Sequence, residues 1–264
     1  MTDRFTDLVV VAETGPDRFE VSSAGSGFLF GGLTMAAALA AAARTVDPSL
    51  VPRSLHAAFH NGGLWGTPLA VGVERVNDSR SYASRRAVVT QRKVAVAVVE
   101  TTFRRTRGGD DVLGPPAPPA RPIEELEPER VTVPEPVLEV RLAGSPRAAG
   151  SDRVHPYWAR FLEPLGDDQM LHAAALAFVS DYLVIYTPFP TGSGRGEGMI
   201  SRTLEHSLWF HRPIDANRWL LIDADALSVV DGHYVSRGTV HDEDGLLVAS
   251  FVQEGFVRAA PAAG

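Results

Sequence analysis

The chain contains no cysteine. That excludes a disulfide-stapled scaffold, a thiol nucleophile and a thiolate metal site. Its 25 Lys and Arg residues nowhere gather into a basic stripe, which argues against nucleic acid as a partner. The opening Met1-Thr2-Asp3-Arg4-Phe5-Thr6-Asp7 is polar and acidic, unlike a signal peptide. The longest apolar stretch, Ala-rich and ending at Ala43, is too short and too weakly apolar to span a bilayer. These absences lead to the expectation of a cytoplasmic protein with no membrane span. What is present is a globular balance: 264 residues, 45% hydrophobic, net charge -7. That is enough for one large domain or two of roughly 130 residues.

The chain repeats itself. An Ala-rich segment (Gly31-Gly32 through Thr45) precedes Ser54-Leu55-His56-Ala57-Ala58-Phe59-His60, then Ser81-Tyr82-Ala83-Ser84-Arg85, then Val98 to Arg104. In the second half, Ala173-Ala174-Ala175-Leu176-Ala177 precedes His206-Ser207-Leu208-Trp209-Phe210-His211, then Gly232 to Arg237, then Phe251 to Arg258. Matching order and spacing imply an internal duplication.

Gly31 to about Val46 reads as a helix, stopped near Asp47-Pro48. Strand patterns follow at 54–60, 69–77, 82–91 and 94–105. Residues 107–136, with Gly114-Pro115-Pro116-Ala117-Pro118-Pro119, predict an extended, semi-rigid linker between the repeats. The second half predicts strands at 137–142 and 155–163 and a helix from the capping Asp167-Asp168 to about Ser180. The Gly-rich loop 188–198 fits no phosphate-binding motif. Four strands follow, at 199–212, 218–229, 232–241 and 246–258. Each half is therefore expected to be one long helix followed by a four-stranded antiparallel meander, with an extra strand in front. A helix apolar nearly all round belongs inside a curved sheet. The expectation is an α+β tandem (double) hotdog: domain 1–106, linker 107–136 and domain 137–264.

These residues resemble the acyl-CoA thioesterase II (TesB-type) family. The resemblance runs through Gly31-Gly32 to Val46, Ser54 to Phe59 and Val73 to Arg86. It is strongest over Ser180-Asp181, Thr203 to Pro213 and Leu247 to Gly255. It implies hydrolysis of fatty acyl-CoA to free acid and CoA. It also implies a catalytic trio of an Asp just after the second-half helix, a Thr on the next strand and a Gln on the last. Carried onto this chain these are Asp181, Thr203 and Gln253, in the domain 137–264. Acyl-CoA is the implied substrate, no cofactor or metal is implied, and a homo-oligomer (dimer or tetramer) is expected. Three departures stand out: Glu205 replaces the family's Asp, Phe59-His60-Asn61-Gly62-Gly63 replaces Phe-Leu-Arg-Pro-Gly, and Leu33-Thr34-Met35 lacks the family's Gln.

Matching the repeats sets Arg44, Pro52 and Glu100 opposite Asp181, Thr203 and Gln253. Only the second half then carries a coherent polar set, which predicts one site per chain. Asp181 is a candidate general base for a water that Thr203 and Gln253 orient. Gly31 and Gly32, opening the first-half helix, are candidate substrate-binding residues whose backbone N–H groups would face the oxyanion. His56, His206 and His211 are expected to be packed and hydrogen-bonded. Two competing readings are a non-catalytic acyl-CoA binding protein and a double-hotdog enoyl-CoA hydratase.

Overall fold

The computed structural model describes residues 4–22, 27–106, 108, 114–129, 138–144, 154–189 and 198–260. A short helix, α1 (Phe5–Val9), is followed by strands β1 (Val11–Gly15) and β2 (Arg18–Val21) and the long helix α2 (Gly31–Ala43). Then come β3 (Leu50–Phe59), β4 (Leu69–Asp78), β5 (Tyr82–Gln91) and β6 (Val94–Arg105). The second half contributes β7 (Leu138–Leu142), β8 (Tyr157–Phe161), helix α3 (Gln169–Ser180), β9 (Met199–Phe210), β10 (Leu220–Val230), β11 (His233–Asp242) and β12 (Leu247–Ala259).

The twelve strands among the described residues form one antiparallel sheet, ordered β1-β2-β4-β5-β6-β3-β9-β12-β11-β10-β8-β7. Read outward from the central β3–β9 pair, the two halves have the same order, as a duplication requires. That order corrects the expected four-strand meander. Only β4-β5-β6 and β10-β11-β12 are meanders; β3 and β9 return beside β6 and β12. Loop length is the reason. Arg92 and Lys93 (φ 48° and 67°), like Asp231 and Gly232 (φ 51° and 74°), form tight turns with positive φ at both positions. Such turns match the twist of a hairpin. The connectors 60–68 and 211–219 are too long for that and carry the chain across the sheet instead.

Helix α2 stops three residues short of its predicted end. The Thr45 hydroxyl donates to the Ala42 carbonyl (2.8 Å) and closes its last turn. The start of α3 is set as expected: Asp168 Oδ1 accepts from the Met170 N–H at 2.9 Å. Both helices are core. Leu33, Met35, Leu39, Leu176 and Phe178 are fully buried, and the two helices pack against each other. Their alanines make that approach possible, because small side chains bring backbones close. The segment Gln169–Tyr186 is long and apolar enough to cross a membrane by composition, but 72% of it is buried inside the molecule.

Residues 114–129 are irregular apart from one 3-10 turn, Ile123–Glu125. They are nonetheless fastened to the second half. Arg141 Nη1 donates to the Ile123 and Leu126 carbonyls, Trp158 Nε1 donates to the Arg121 carbonyl, and Leu126 packs with Ala143 and Leu221. The remaining linker positions 107, 109–113 and 130–136, and most of the Gly-rich loop (190–197), lie outside the described residues.

Candidate active site

The central pairing is incomplete. β3 and β9 pair only over Ser54–Ala58 and Glu205–Trp209, so the edge of β9 from 199 to 204 is open towards the first half. An open cleft of about 620 Å³ lies there. One wall is built from two first-half segments tied together: Leu29 N–H donates to the Gly63 carbonyl (2.8 Å) and Trp65 N–H to the Gly27 carbonyl (3.0 Å). Gln91, nearly buried, braces that wall through Leu64 and Thr67. The other wall is β9 and the turn after α3, and Asp181 lies in the lining.

Asp181 caps the C-terminus of α3. The turn after it is pinned by Tyr157, whose hydroxyl lies 3.1 Å from the Val179 carbonyl and 2.7 Å from the Tyr182 carbonyl. His155 Nε2 adds a contact to the Leu183 carbonyl (3.2 Å). Leu183 itself has φ 63°, an uncommon left-handed conformation for a branched residue. The carboxyl group thus held accepts from the Thr203 hydroxyl at 3.1 Å and from the Gly32 N–H at the start of α2. Burial pushes its pKa up to about 6, against the opposing pull of those two donors. Asp181 therefore crosses between acid and base just below neutrality.

Thr203 reaches Asp181 because of a β-bulge. On β12, Phe251, Gln253 and Gly255 are buried on one face. Their partners are Leu208, His206 and Thr203, so Leu204 is an extra residue that shifts the phase of β9 by one. Without it, Thr203 would point to the other face; bulges recur beside active sites for this purpose.

Gly31 and Gly32 are needed for close approach, not for unusual φ. A Cβ on Gly31 would sit 2.7 Å from Asp181 Oδ2 and 3.2 Å from Phe59 Cζ. One on Gly32 would overlap the Phe178 carbonyl and the Phe30 ring. The N-terminus of α2 and the C-terminus of α3 thus meet at Asp181, and Gly32 N–H is engaged by the carboxyl group.

Gln253 is completely buried and does not border the cleft. Its Oε1 lies 2.9 Å from His206 Nδ1, and its Nε2 donates to the Tyr234 hydroxyl at 3.1 Å. Tyr234 was not singled out by the sequence, because a lone tyrosine in a strand pattern reads as core. Burial lowers the pKa of His206 to about 4, so its ring is neutral near pH 7. It stacks on Phe251, with Ser180 Oγ 3.0 Å from Nε2. His56 and His211 are partnered by Ser207 (3.0 Å) and Ser250 (2.9 Å).

Among the described residues, the first half has no counterpart of this set. The same bulge occurs at Arg53, and it brings Pro52 to the position of Thr203. Register also corrects one of the expected equivalences. Leu55 pairs with Thr101 as His206 pairs with Gln253, so Thr101, not the outward-facing Glu100, stands opposite Gln253. In place of a site there is Arg85, 1% exposed. Its guanidinium donates to Thr45 Oγ1 (2.7 Å), the carbonyls of Thr45, Asn77 and Ser84, and Asp78 (2.6 Å). A cation at the C-terminus of α2 suits the helix dipole.

The departures from the TesB pattern fall in different places. Glu205 is exposed and faces away from Thr203. Leu33 is core. His60, Asn61, Gly62 and Gly63, with Thr34, line the cleft.

One antiparallel sheet of two like halves, with a core helix in each, is a double-hotdog architecture. Solved structures share it. Acyl-CoA thioesterase II TesB2 from Mycobacterium marinum is 27% identical and superposes with a TM-score of 0.78 over 98% of this chain and 99% of its own. A tesB protein from Mycobacterium avium subsp. paratuberculosis is 25% identical with a TM-score of 0.83, covering 96% and 98%. Acyl-CoA thioesterase 2 of Haemophilus influenzae is 27% identical over 87% of each chain. The family model for the acyl-CoA thioesterase C-terminal domain matches residues 110–257, and that for the N-terminal domain matches 21–105. The chain belongs to the acyl-CoA thioesterase family and is a thioester hydrolase.

Proposed function

We propose that this protein hydrolyses fatty acyl-CoA in the cleft between its halves, with Asp181 as general base and Thr203 and Gln253 as its supporting set. The observation that carries the reading is the buried Asp181 carboxyl, hydrogen-bonded by Thr203 and Gly32, with a pKa of about 6 in an open cleft. Ionised Asp181 takes a proton from water, and the water oxygen bonds to the thioester carbonyl carbon. The tetrahedral intermediate collapses with cleavage of the C–S bond, and the proton on Asp181 passes to the departing sulfur. Gly32 N–H is shared with Asp181, so the oxyanion would rely on the other first-turn N–H groups of α2. Thr34 supports this: its hydroxyl is buried, lines the cleft and has no hydrogen-bond partner among the described residues. Phe28, Phe30 and Phe59 offer apolar surface to an acyl chain. Arg202 and Arg258, exposed at the mouth and free of ion pairs among the described residues, suit the phosphates of CoA.

The same reading has each half-sheet curving around its own helix, domain limits at 1–106 and 137–264, and a homo-oligomeric assembly of two or four chains. The test is thiol release from a panel of acyl-CoAs, short to long and branched, by wild type and Asp181→Asn. Wild type is expected to release thiol with kcat/KM rising as pH increases through about 6. Asp181→Asn is expected to lose at least about 100-fold. Saturable binding without release from any member would leave an acyl-binding or hydratase role instead.

A further inference from the structure

One hydroxyl lies between Gln253 and the Asp181–Thr203 pair, and the reaction as derived so far makes no use of it. Tyr234 of β11 pairs with Gly255 of β12, and Gly255 pairs with Thr203 of β9. These three residues form a line across the inner face of the sheet. Gly255 has no side chain, and a Cβ there would overlap the Tyr234 phenol at both Cζ and the hydroxyl. The tyrosine ring therefore lies across the glycine and brings its hydroxyl to Gln253, with the Ser201 and Thr203 hydroxyls close by. In the first half the equivalent line is Ala83, Phe103 and Pro52, which offers no hydroxyl at all.

The direction of the hydrogen bonds follows from the ends of the chain. Neutral His206 donates from Nδ1 to Gln253 Oε1, since an amide oxygen only accepts. Gln253 must then present its Nε2–H to the phenol oxygen. At the other end, Thr203 gives its proton to Asp181, leaving the Thr203 oxygen able to accept. The phenol proton still needs an acceptor, and two hydroxyls act on Tyr234, Ser201 more strongly than Thr203; of the two, Thr203 is the one that holds Asp181. We propose that Tyr234 is a further positioning residue of this site, donating to Thr203 and so linking His206 and Gln253 to Asp181 in one chain of like-directed hydrogen bonds. The proposal rests on Asp181 being the base. Burial raises the phenol's pKa above its ordinary value, so the group remains a donor across the working range. Such chains polarise each successive bond, and here the polarised end steadies the ionised carboxylate. It also gives Gln253 a role despite its exclusion from the cleft.

The experiment is the pH dependence of kcat and KM for Tyr234→Phe beside wild type, with folding checked by circular dichroism. Phenylalanine removes one oxygen and keeps the ring. The expected result is a fall in kcat of about tenfold with KM within about twofold. The acid limb should move up by about half a unit as Asp181 loses support. In a Thr203→Val background, Tyr234→Phe should add little, because the effect passes through Thr203. A folded Tyr234→Phe with unchanged kcat and an unmoved acid limb overturns the proposal, and so does full additivity with Thr203→Val. If Tyr234→Phe fails to fold, His206→Gln gives the second reading. It frees the Gln253 amide to turn and must raise the same limb; a stationary limb overturns the proposal equally. Failure of the thioesterase reading is distinct: wild type itself would release no thiol.

Discussion

The burial of Asp181 is costly to the fold once its carboxyl is ionised. Its folded pKa of about 6 stands above the ordinary 3.8. Between these values the native state holds a proton that the unfolded chain has lost. Stability from this group is therefore fully present below about pH 4 and falls as pH rises through 6. The distance between these two values corresponds to at most about 3 kcal/mol. Asp181→Asn, which is never charged, should be more stable than wild type at pH 7.5 by about 1–3 kcal/mol, with the difference vanishing near pH 4. Denaturant unfolding at the two pH values checks this; equal stability at pH 7.5 would mean that the carboxylate is better solvated than its burial implies. Gly31→Ala separates stability from function differently. Alanine gains about 0.5–1 kcal/mol of helix preference, against about 1–3 kcal/mol for crowding Asp181 Oδ2 and Phe59. The melting temperature should shift by only a few degrees, while kcat should drop about tenfold or more as the carboxyl is displaced.

At the scale of elements, the site depends on how strands and helix ends are phased. The N-cap of α3 was legible in the sequence as Asp167-Asp168 before an apolar run, and Asp168 does cap it. Asp168→Ala should cost about 1 kcal/mol in thermal or denaturant unfolding. KM should not change, because the cap lies at the opposite end of α3 from Asp181. A change in KM would show that the helix transmits the loss along its length. Strand positions were also legible, to within a few residues, from β-branched runs and turn residues. The bulge at Leu204 was not. Alternation along β9 is read from side-chain type, and Ile200-Ser201-Arg202-Thr203-Leu204 contains no clean alternation to reveal an extra residue. The same blindness set Glu100 rather than Thr101 opposite Gln253. Register is a property of two paired strands, and a one-residue slip moves every side chain to the other face.

For the whole molecule, the two like halves differ at the inner end of the sheet: the second holds the Asp181–Thr203 pair and the first holds Arg85. Arg85 occupies the inner space of the first half, and its guanidinium satisfies carbonyls at the end of α2 and on β4 and β5. Arg85→Met would leave the buried Thr45 carbonyl and hydroxyl oxygen without their guanidinium donor. The expected loss is about 1–3 kcal/mol in unfolding experiments. Any folded fraction should hydrolyse substrate with near-normal KM, since the cleft lies at the other end of α2. A loss of less than about 1 kcal/mol would mean that water replaces the guanidinium at no cost.

The sequence by itself determined the duplication, both long helices and most strands, because these follow from local composition and periodicity, while Asp181 and Thr203, which the fold brings into hydrogen-bond contact, were singled out by resemblance to the TesB pattern. The tertiary structure alone decided the strand order, the gap where β3 leaves β9, and the meeting of Gly31 and Gly32 with Asp181. It also decided that Gln253 is buried away from the cleft and hydrogen-bonded to Tyr234. Those depend on which strand lies beside which, and on the bulge and the missing side chain at Gly255 that align groups more than twenty residues apart. Such contacts are formed by packing across the sheet, and no local run of residues encodes them.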